Sequence, residues 1–202
     1  MLIAITGIDG SGKSTQIELL KKFLEKNKYS VAISKAYGKA EEFFLAPFFQ
    51  YWDSLAITFI FQGLHRQQYI SALKEIKNGK IVLADRWDET FLSFHSRFGF
   101  LAKHQKLREE WNKLAFESLI PDLTFFLDVP PKVASQRLIS RGKNFLDEGD
   151  ENYQKQIRKS MIKSLAGRPT VFIDGTKSIN EIHKTIVSEL SKKLKKPKIN
   201  KN

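Results

Sequence analysis

Nine consecutive residues near the amino terminus, Gly7-Ile8-Asp9-Gly10-Ser11-Gly12-Lys13-Ser14-Thr15, constrain the fold of this chain more than any other feature. They complete the pattern G-x-x-x-x-G-K-S/T, with an apolar run before them and a stretch of helical period after them. Strand, glycine-rich turn and helix in that order build a cradle for phosphate. Glycines at 7, 10 and 12 let successive backbone N–H groups turn inward, where a Cβ would obstruct them. The following helix adds the positive end of its dipole. Lys13 can then bridge the β- and γ-phosphates of a nucleoside triphosphate, and the Ser14 hydroxyl can ligate Mg²⁺. A loop of this kind leaves ATPase, GTPase and small-molecule kinase open.

The remaining chain supplies a sheet around that loop. Short apolar or β-branched runs at 2–6, 30–34, 80–84, 123–128 and 170–174 alternate with helix-period stretches at 14–26, 57–77, 105–119, 132–140, 151–165 and 179–194. Several runs are apolar almost throughout, as strands buried on both faces of a parallel sheet are. In the first helix Ile17, Leu20 and Leu24 recur on one stripe, with Phe23 beside them. The alternation predicts an α/β fold: a doubly wound parallel sheet of about five strands flanked by helices, as in P-loop NTPases. One domain covers 1–191. Within it the polar, glycine-bounded stretch 142–150 reads as a small lid, and 192–202, with six lysines and no acid, as a basic, disordered tail.

Lysine and arginine total 34 against 22 acids, a formal charge of +12, of which the tail supplies six. Such an excess calls for an anionic partner: nucleic acid, a membrane surface or a phosphorylated small molecule. The absence of cysteine excludes disulfides, Cys-ligated zinc and thiol nucleophiles. The amino terminus lacks the basic region of a signal peptide, and no apolar run reaches the ~18–20 residues of a membrane helix. A soluble, cytoplasmic protein without a membrane partner is expected. No Asn-Lys-x-Asp segment suggests a guanine reader, and no helix-turn-helix pattern follows. The 16 phenylalanines lie mostly in apolar runs, which reads as core rather than as a base-stacking surface. A nucleic-acid-binding ATPase is therefore the rival reading, and no specific nucleic-acid partner is expected.

A second constellation lies at Ile81-Val82-Leu83-Ala84-Asp85-Arg86-Trp87, an apolar strand ending in Asp-Arg at the edge where open α/β sheets bind ligands. Asp85 there can hold Mg²⁺ or its water shell, and the planar fork of Arg86 suits an acceptor phosphate. The bland alternative is a surface Asp–Arg pair. With these residues in view the chain resembles the thymidylate kinases, a branch of the P-loop nucleoside-monophosphate kinases, from Leu2 to about Leu190. The family's loop reads G-x-D-G-x-G-K-S/T-T-Q, and residues 7–16 agree throughout. Asp85-Arg86-Trp87, Thr90 and Ser93-Phe94-His95 resemble the family's Asp-Arg-Tyr, Ser and Ala-Tyr-Gln. Pro121-Asp122-Leu123-Thr124-Phe125-Phe126-Leu127-Asp128-Val129 matches the strand that follows, and Arg137 with Arg141-Gly142 resembles the R-x-x-x-R-G sequence that opens the lid.

The resemblance implies transfer of the ATP γ-phosphoryl group to dTMP, with ATP and Mg²⁺ bound. It implies catalytic roles for Lys13, Arg86 and Arg141. Residues Gly7, Ile8, Asp9, Gly10, Ser11, Gly12, Lys13, Ser14, Thr15, Arg137, Thr176 and Lys177 would lie along ATP, and Ser14 and Asp85 at the metal. Asp9, Arg66, Arg86, Thr90, Phe94 and His95 would lie along dTMP: Asp9 at the sugar, Arg66 at the base, and Phe94 crowding the 2′ position. By residue type alone Arg66 is equally an ordinary solvated arginine, and Arg137 with Arg141 equally a basic helix face. Thr6 stands where the family commonly has glutamate, Ala36-Tyr37-Gly38-Lys39 where it has Glu-Pro-Gly-Gly, and Gln62 where it often has a stacking Phe; Phe59 or Phe61 would serve only with a shifted helix register. These departures cluster on the acceptor base, so a kinase of another (deoxy)nucleotide or nucleoside remains an alternative. The phosphate loop carries no Arg or Lys at 8–11, so the lid, through Arg141 or Lys143, is expected to supply that charge. The apolar run 43–49 suits either a homodimer interface or packing within the monomer.

Overall fold

A computed structural model describes residues 1–38, 52–97, 99–142 and 151–194. Five strands, β1 (Leu2–Thr6), β2 (Val31–Lys35), β3 (Ile81–Asp85), β4 (Leu123–Asp128) and β5 (Thr170–Asp174), form one parallel sheet in the order β2-β3-β1-β4-β5. The described helices are α1 (Lys13–Lys26), α2 (Ser54–Lys77), α3 (Asp88–Phe94), α4 (Gln105–Phe116), α5 (Pro131–Arg141), α6 (Glu151–Ser164) and α7 (Ile179–Ser191), with a 3₁₀ turn at Phe100–Lys103. The doubly wound α/β sheet expected from the alternation is thus present. From β1 the chain passes to β2 and β3 on one side and then crosses to β4 and β5 on the other, a reversal that opens a crevice at the carboxyl ends of β1 and its neighbours.

Alternate residues of the central strands feed two cores. Ile3, Ile5, Leu83, Phe125 and Leu127 face Ile17, Leu20 and Leu24 of α1 and Ile182, Ile186 and Leu190 of α7. On the opposite face Leu2, Ala4, Val82 and Ala84 meet Tyr69 and Ala72 of α2, Trp87, and Ala115 and Phe116 of α4. A third cluster joins Ile8 of the glycine loop to Ala134 of α5 and to Ile157 and Met161 of α6. The loop is therefore anchored from beneath by apolar packing.

Local chemistry sets the element ends. α2 begins three residues before the stretch expected from periodicity, because Asp53 caps it, accepting from the backbone N–H groups of Leu55 and Ala56. α7 starts with a reciprocal capping box between Ser178 and Glu181. α4 stops at Phe116 rather than 119, since Glu117 and Ser118 turn to φ 45° and 58°. α3 spans only seven residues, too few for a 3.6-residue period to show in the sequence. The stretch 143–150 of the expected lid, the apolar run 43–49 and the tail from 195 lie outside the described residues. Of the tail's first residues, Lys192 pairs with Glu189, and Lys193 donates to the Asp122 carbonyl.

Candidate active site

The glycine loop leaves β1 at Gly7 and delivers the chain to α1 through Gly12, whose φ of 94° places it in the left-handed region at the helix N-cap. The glycines are required for two different reasons. A Cβ on Gly7 would lie 2.6 Å from the Leu127 carbonyl oxygen, and one on Gly10 would lie 2.5 Å from that of Ala134, so both are close approaches. At Gly12 a Cβ would meet nothing within 4 Å, so the need there is conformational and the space in front is open. Ser14 and Thr15 begin the helix exposed toward that space. Lys13 folds back over the loop, its Nζ donating to the Ile8 carbonyl at 3.0 Å and lying 3.8 Å from Asp9. Burial, and then the neighbouring Arg86, lower its pKa from 10.5 to about 8. An ammonium so weakly compensated is primed for a strong anion.

Arg86 follows β3 at a φ of 67°, an unusual conformation for a side chain that is not glycine. Its backbone N–H donates to Ile5 of β1, and its carbonyl accepts from Gln68 of α2. One amino group of the guanidinium, Nη2, donates to Asp9 at 2.6 Å. Among the described residues the other, Nη1, is buried without a hydrogen-bond partner, as is the Ser11 hydroxyl in the loop. Burial works against the Arg86 charge, but Asp9, Tyr37 and Asp85 outweigh it and hold the guanidinium above its usual pKa. The strained backbone thus aims a charged fork across the crevice, one arm held by Asp9 and the other unspent.

Asp85 ends β3 buried and in register with Lys35 of β2, whose ammonium lies 3.5 Å away. Asp9 and Asp85 both act on the Lys13 charge, so the two carboxylates flank that ammonium. With the Ser14 hydroxyl they give an oxygen donor set that suits Mg²⁺ beside phosphate rather than a softer metal. No group of three or more His, Cys, Asp or Glu side chains is assembled as a metal cage among the described residues.

Beyond Arg86 the crevice wall is aromatic. The guanidinium lies 5.5 Å above the Phe94 ring. His95 packs against Phe91 at 4.5 Å and Phe61 at 6.4 Å, and Phe61 meets Tyr37 edge-on at 5.8 Å. Burial depresses His95 and His65 to a pKa of about 4, so both rings are neutral at pH 7. Thr90 spends its hydroxyl hydrogen on Glu89 at 3.0 Å.

One expected residue goes elsewhere. Arg66 is not brought to the crevice: it pairs with Glu117 at 2.7 Å, donates to the Leu114 carbonyl and lies over the Tyr69 ring. It fastens α2 to the end of α4. The face of α2 that meets the crevice carries Phe61, His65 and Gln68, one position earlier than the register expected from sequence, and Gln62 donates instead to the Trp111 carbonyl. Residues on a helix are spaced by 100°, so one step turns the guanidinium away. Arg137 donates to the carbonyls of Gly10 and Gly175, clamping the phosphate loop to the β5–α7 turn. In that turn Thr176 bonds Asp174 through its N–H and hydroxyl, and Lys177 is exposed. The side chain of Arg141, like Lys143, lies outside the described residues. Tyr37, Phe61, Gln68 and Lys35 join the crevice without having been singled out as its residues by the sequence; only the shifted-register option for Phe61 signalled any of them.

The sequence matches the thymidylate kinase family over residues 5–186. It is similar to a thymidylate kinase of Fervidobacterium nodosum, 31% identical over 199 residues that cover 93% of this chain and 96% of that one. A thymidylate kinase of Thermosipho africanus is 30% identical, with 96% and 99% covered. One from Sulfurihydrogenibium is likewise 30% identical, with 95% and 97% covered.

Proposed function

We propose, since this chain belongs to the thymidylate kinase family, that it transfers the γ-phosphoryl group of ATP to dTMP, giving ADP and dTDP. The observation that carries this reading is the pairing of the glycine loop with Arg86 across one crevice, joined through Asp9. The loop amides and Lys13 receive the β- and γ-phosphates, and Ser14, Thr15 and the Gly12 turn lie along them. The unspent Nη1 of Arg86 receives the acceptor phosphate, while Asp9, held by its other arm, meets the sugar. Ser14 and Asp85 would hold Mg²⁺, which when bound would neutralise phosphate charge. The acceptor is itself an ionised phosphate, so no general base is required. Positioning and charge carry the reaction.

The base lies in the aromatic wall of Tyr37, Phe61, Phe94 and His95, with Phe94 against the sugar. Apolar walls of this kind suit a methylated pyrimidine, and the neutral His95 ring offers it a hydrogen bond. Arg137, Thr176 and Lys177 border the adenosine side of the donor. The charge absent from the loop is assigned to the lid, to Arg141 or Lys143. Turnover measured as ADP release across dTMP, dUMP, dCMP, dGMP, UMP and thymidine tests the assignment. A kcat/KM highest for dTMP supports it; a preference for another acceptor overturns the substrate, and hydrolysis stimulated by DNA or RNA would favour the ATPase reading.

The protein works as a homodimer through the outer face of α2 and α4. There Phe59, 56% exposed, stacks on Trp111 at 5.0 Å beside Leu114, 68% exposed. A row of large apolar side chains on one helical layer is costly to leave in water. Sedimentation velocity is expected to show twice the 23.3 kDa chain mass; a 23.3 kDa species alone at micromolar concentration rejects the dimer. No described helix is long and apolar enough to cross a membrane.

A further inference from the structure

Glu89 is the most deeply buried acid among the described residues, 1% exposed, and the phosphoryl-transfer scheme above does not use it. It stands in the first turn of α3, directly behind the crevice. Its Oε1 accepts three hydrogen bonds: from the Thr6 hydroxyl, from the Trp87 backbone N–H at 3.2 Å and from the Thr90 hydroxyl at 3.0 Å. Two of the donors lie at two different strand ends, and the third, Thr90, is on α3 itself. Thr6 is the last residue of β1, immediately before Gly7, and Trp87 immediately follows Arg86. A single oxygen atom therefore fastens the point where the phosphate loop begins to the turn that holds Arg86 at its φ of 67°.

We propose that Glu89 is a positioning residue for the phosphoryl acceptor, its carboxylate fixing the spacing between the phosphate loop and the guanidinium that receives the acceptor phosphate. This rests on the assignment of Arg86 to that phosphate. Several observations favour the acceptor side over the donor side as the place where the effect is felt. The phosphate loop has other anchors: the close backbone contacts of Gly7 and Gly10, the clamp from Arg137 and the Ile8 cluster. The Arg86–Trp87 turn is held by the Ile5 carbonyl, by Gln68 and by the Trp87 indole on Leu119, but of the two it alone combines a charged side chain with a left-handed φ of 67°, so loss of the carboxylate lets that strained residue shift. The chemistry of the side chain also fits. An apolar residue here would leave two hydroxyls and one N–H without partners in a dry site, and an aspartate would fall one methylene short. The sequence departs from the resemblance at the same point: the glutamate expected at residue 6 is a threonine, and that threonine donates to Glu89. A carboxylate still sits at the end of β1, but it arrives from α3.

Among the described residues the charged groups facing this carboxyl are Asp88, its neighbour on α3, and Arg168, which approaches from the turn before β5 and donates to Asp88 at 2.6 Å. β1 presents only the uncharged Thr6. Burial, and then Asp88, raise the Glu89 pKa above its ordinary value, while the three donors oppose the rise. Protonation of Glu89 on the acid side therefore weakens the three-donor link.

The test measures kcat and KM for dTMP at saturating ATP, the affinity for a fluorescent ATP analogue, and the melting temperature, in the whole chain. Glu89→Gln keeps the shape and an accepting oxygen but removes the charge. It is expected to lower kcat/KM for dTMP by about ten- to a hundredfold, to leave the analogue affinity within about threefold, and to move the acid limb of kcat/KM to lower pH. The exchanged pair Thr6→Glu with Glu89→Thr, which returns a carboxylate to the same junction from β1, is expected to recover most of that loss. Parent-like kcat/KM in Glu89→Gln overturns the proposal. So does a loss of analogue affinity as large as the loss for dTMP, or a lowered melting temperature with unchanged kinetics. Arg86→Lys, run beside them, separates the two levels. Unchanged dTMP kinetics there reject the Arg86 assignment itself, whereas a large loss there with a parent-like Glu89→Gln rejects Glu89 alone.

Discussion

Lys13→Met is expected to abolish phosphoryl transfer, with kcat down by roughly a thousandfold or more, and to leave the melting temperature unchanged within a few degrees. Both halves follow from the same ammonium. In transfer to an ionised acceptor the barrier is lowered by charge placed where the phosphates develop it, and one preorganised donor in a dry site is worth about 10²–10³ in rate. Lys13 is the buried cation folded over the loop and carries more than one such contact. For stability, holding it charged is a cost: a pKa lowered from 10.5 to about 8 corresponds to roughly 3 kcal/mol at neutral pH. That cost is present wherever the folded lysine is forced to stay protonated and fades as pH rises through about 8, where the folded state releases its proton first. Methionine removes the cost but leaves the Ile8 carbonyl without its 3.0 Å partner, a penalty of about 1–3 kcal/mol. The two nearly cancel. A variant that melts like the parent and turns over like the parent would show that Lys13 does not touch the transferring phosphates. One that unfolds would show that the Ile8 contact dominates.

The second large effect is Arg86→Lys, a change that preserves charge. A guanidinium can hold Asp9 with Nη2 and still present Nη1 to a ligand, whereas a single ammonium cannot span both. The expected result is a fall in kcat/KM for dTMP on the order of 10²–10³, most of it in KM, with affinity for an ATP analogue within about fivefold of the parent. Lysine also carries the same left-handed backbone strain at this position, so the fold is not favoured by the exchange. Steady-state kinetics with dTMP varied at saturating ATP read this out. Equal loss of donor and acceptor affinity would place Arg86 between the two nucleotides rather than on the acceptor.

How much of this could be read before folding depends on the range over which each feature is encoded. The glycine loop is contiguous and so legible as a pattern, although the approach of the Leu127 and Ala134 carbonyls that also requires Gly7 and Gly10 is tertiary. The sheet is legible for a related reason. Leu2–Thr6 and Leu123–Asp128 are apolar throughout because both faces are covered, and five such runs separated by helical periods admit few parallel topologies. Asp85 and Arg86 are legible because a strand's carboxyl edge is where such sheets bind ligands. Element ends were less so: Asp53 starts α2 three residues early through a cap that periodicity does not record, and Glu117 and Ser118 end α4 early by turning left-handed.

What the tertiary structure alone decided is which side chains face one another across elements distant in sequence. The rotation of α2 is set by packing on α4, where Glu117 takes Arg66 and the Trp111 carbonyl takes Gln62, and that rotation brings Phe61 to the crevice in their place. Arg137 and Arg141 are four apart and so share a helix face, yet Arg137 is spent on the Gly10 and Gly175 carbonyls. The link from Thr6 to Glu89 spans 83 positions and leaves no local pattern at either end. The sequence by itself thus determined that a phosphate cradle sits at the edge of a parallel sheet, because a contiguous backbone motif makes it. The tertiary structure determined which charges remain free to serve that cradle. A charged side chain goes to whichever partner the packing brings within reach, and that choice is not written in the order of residues.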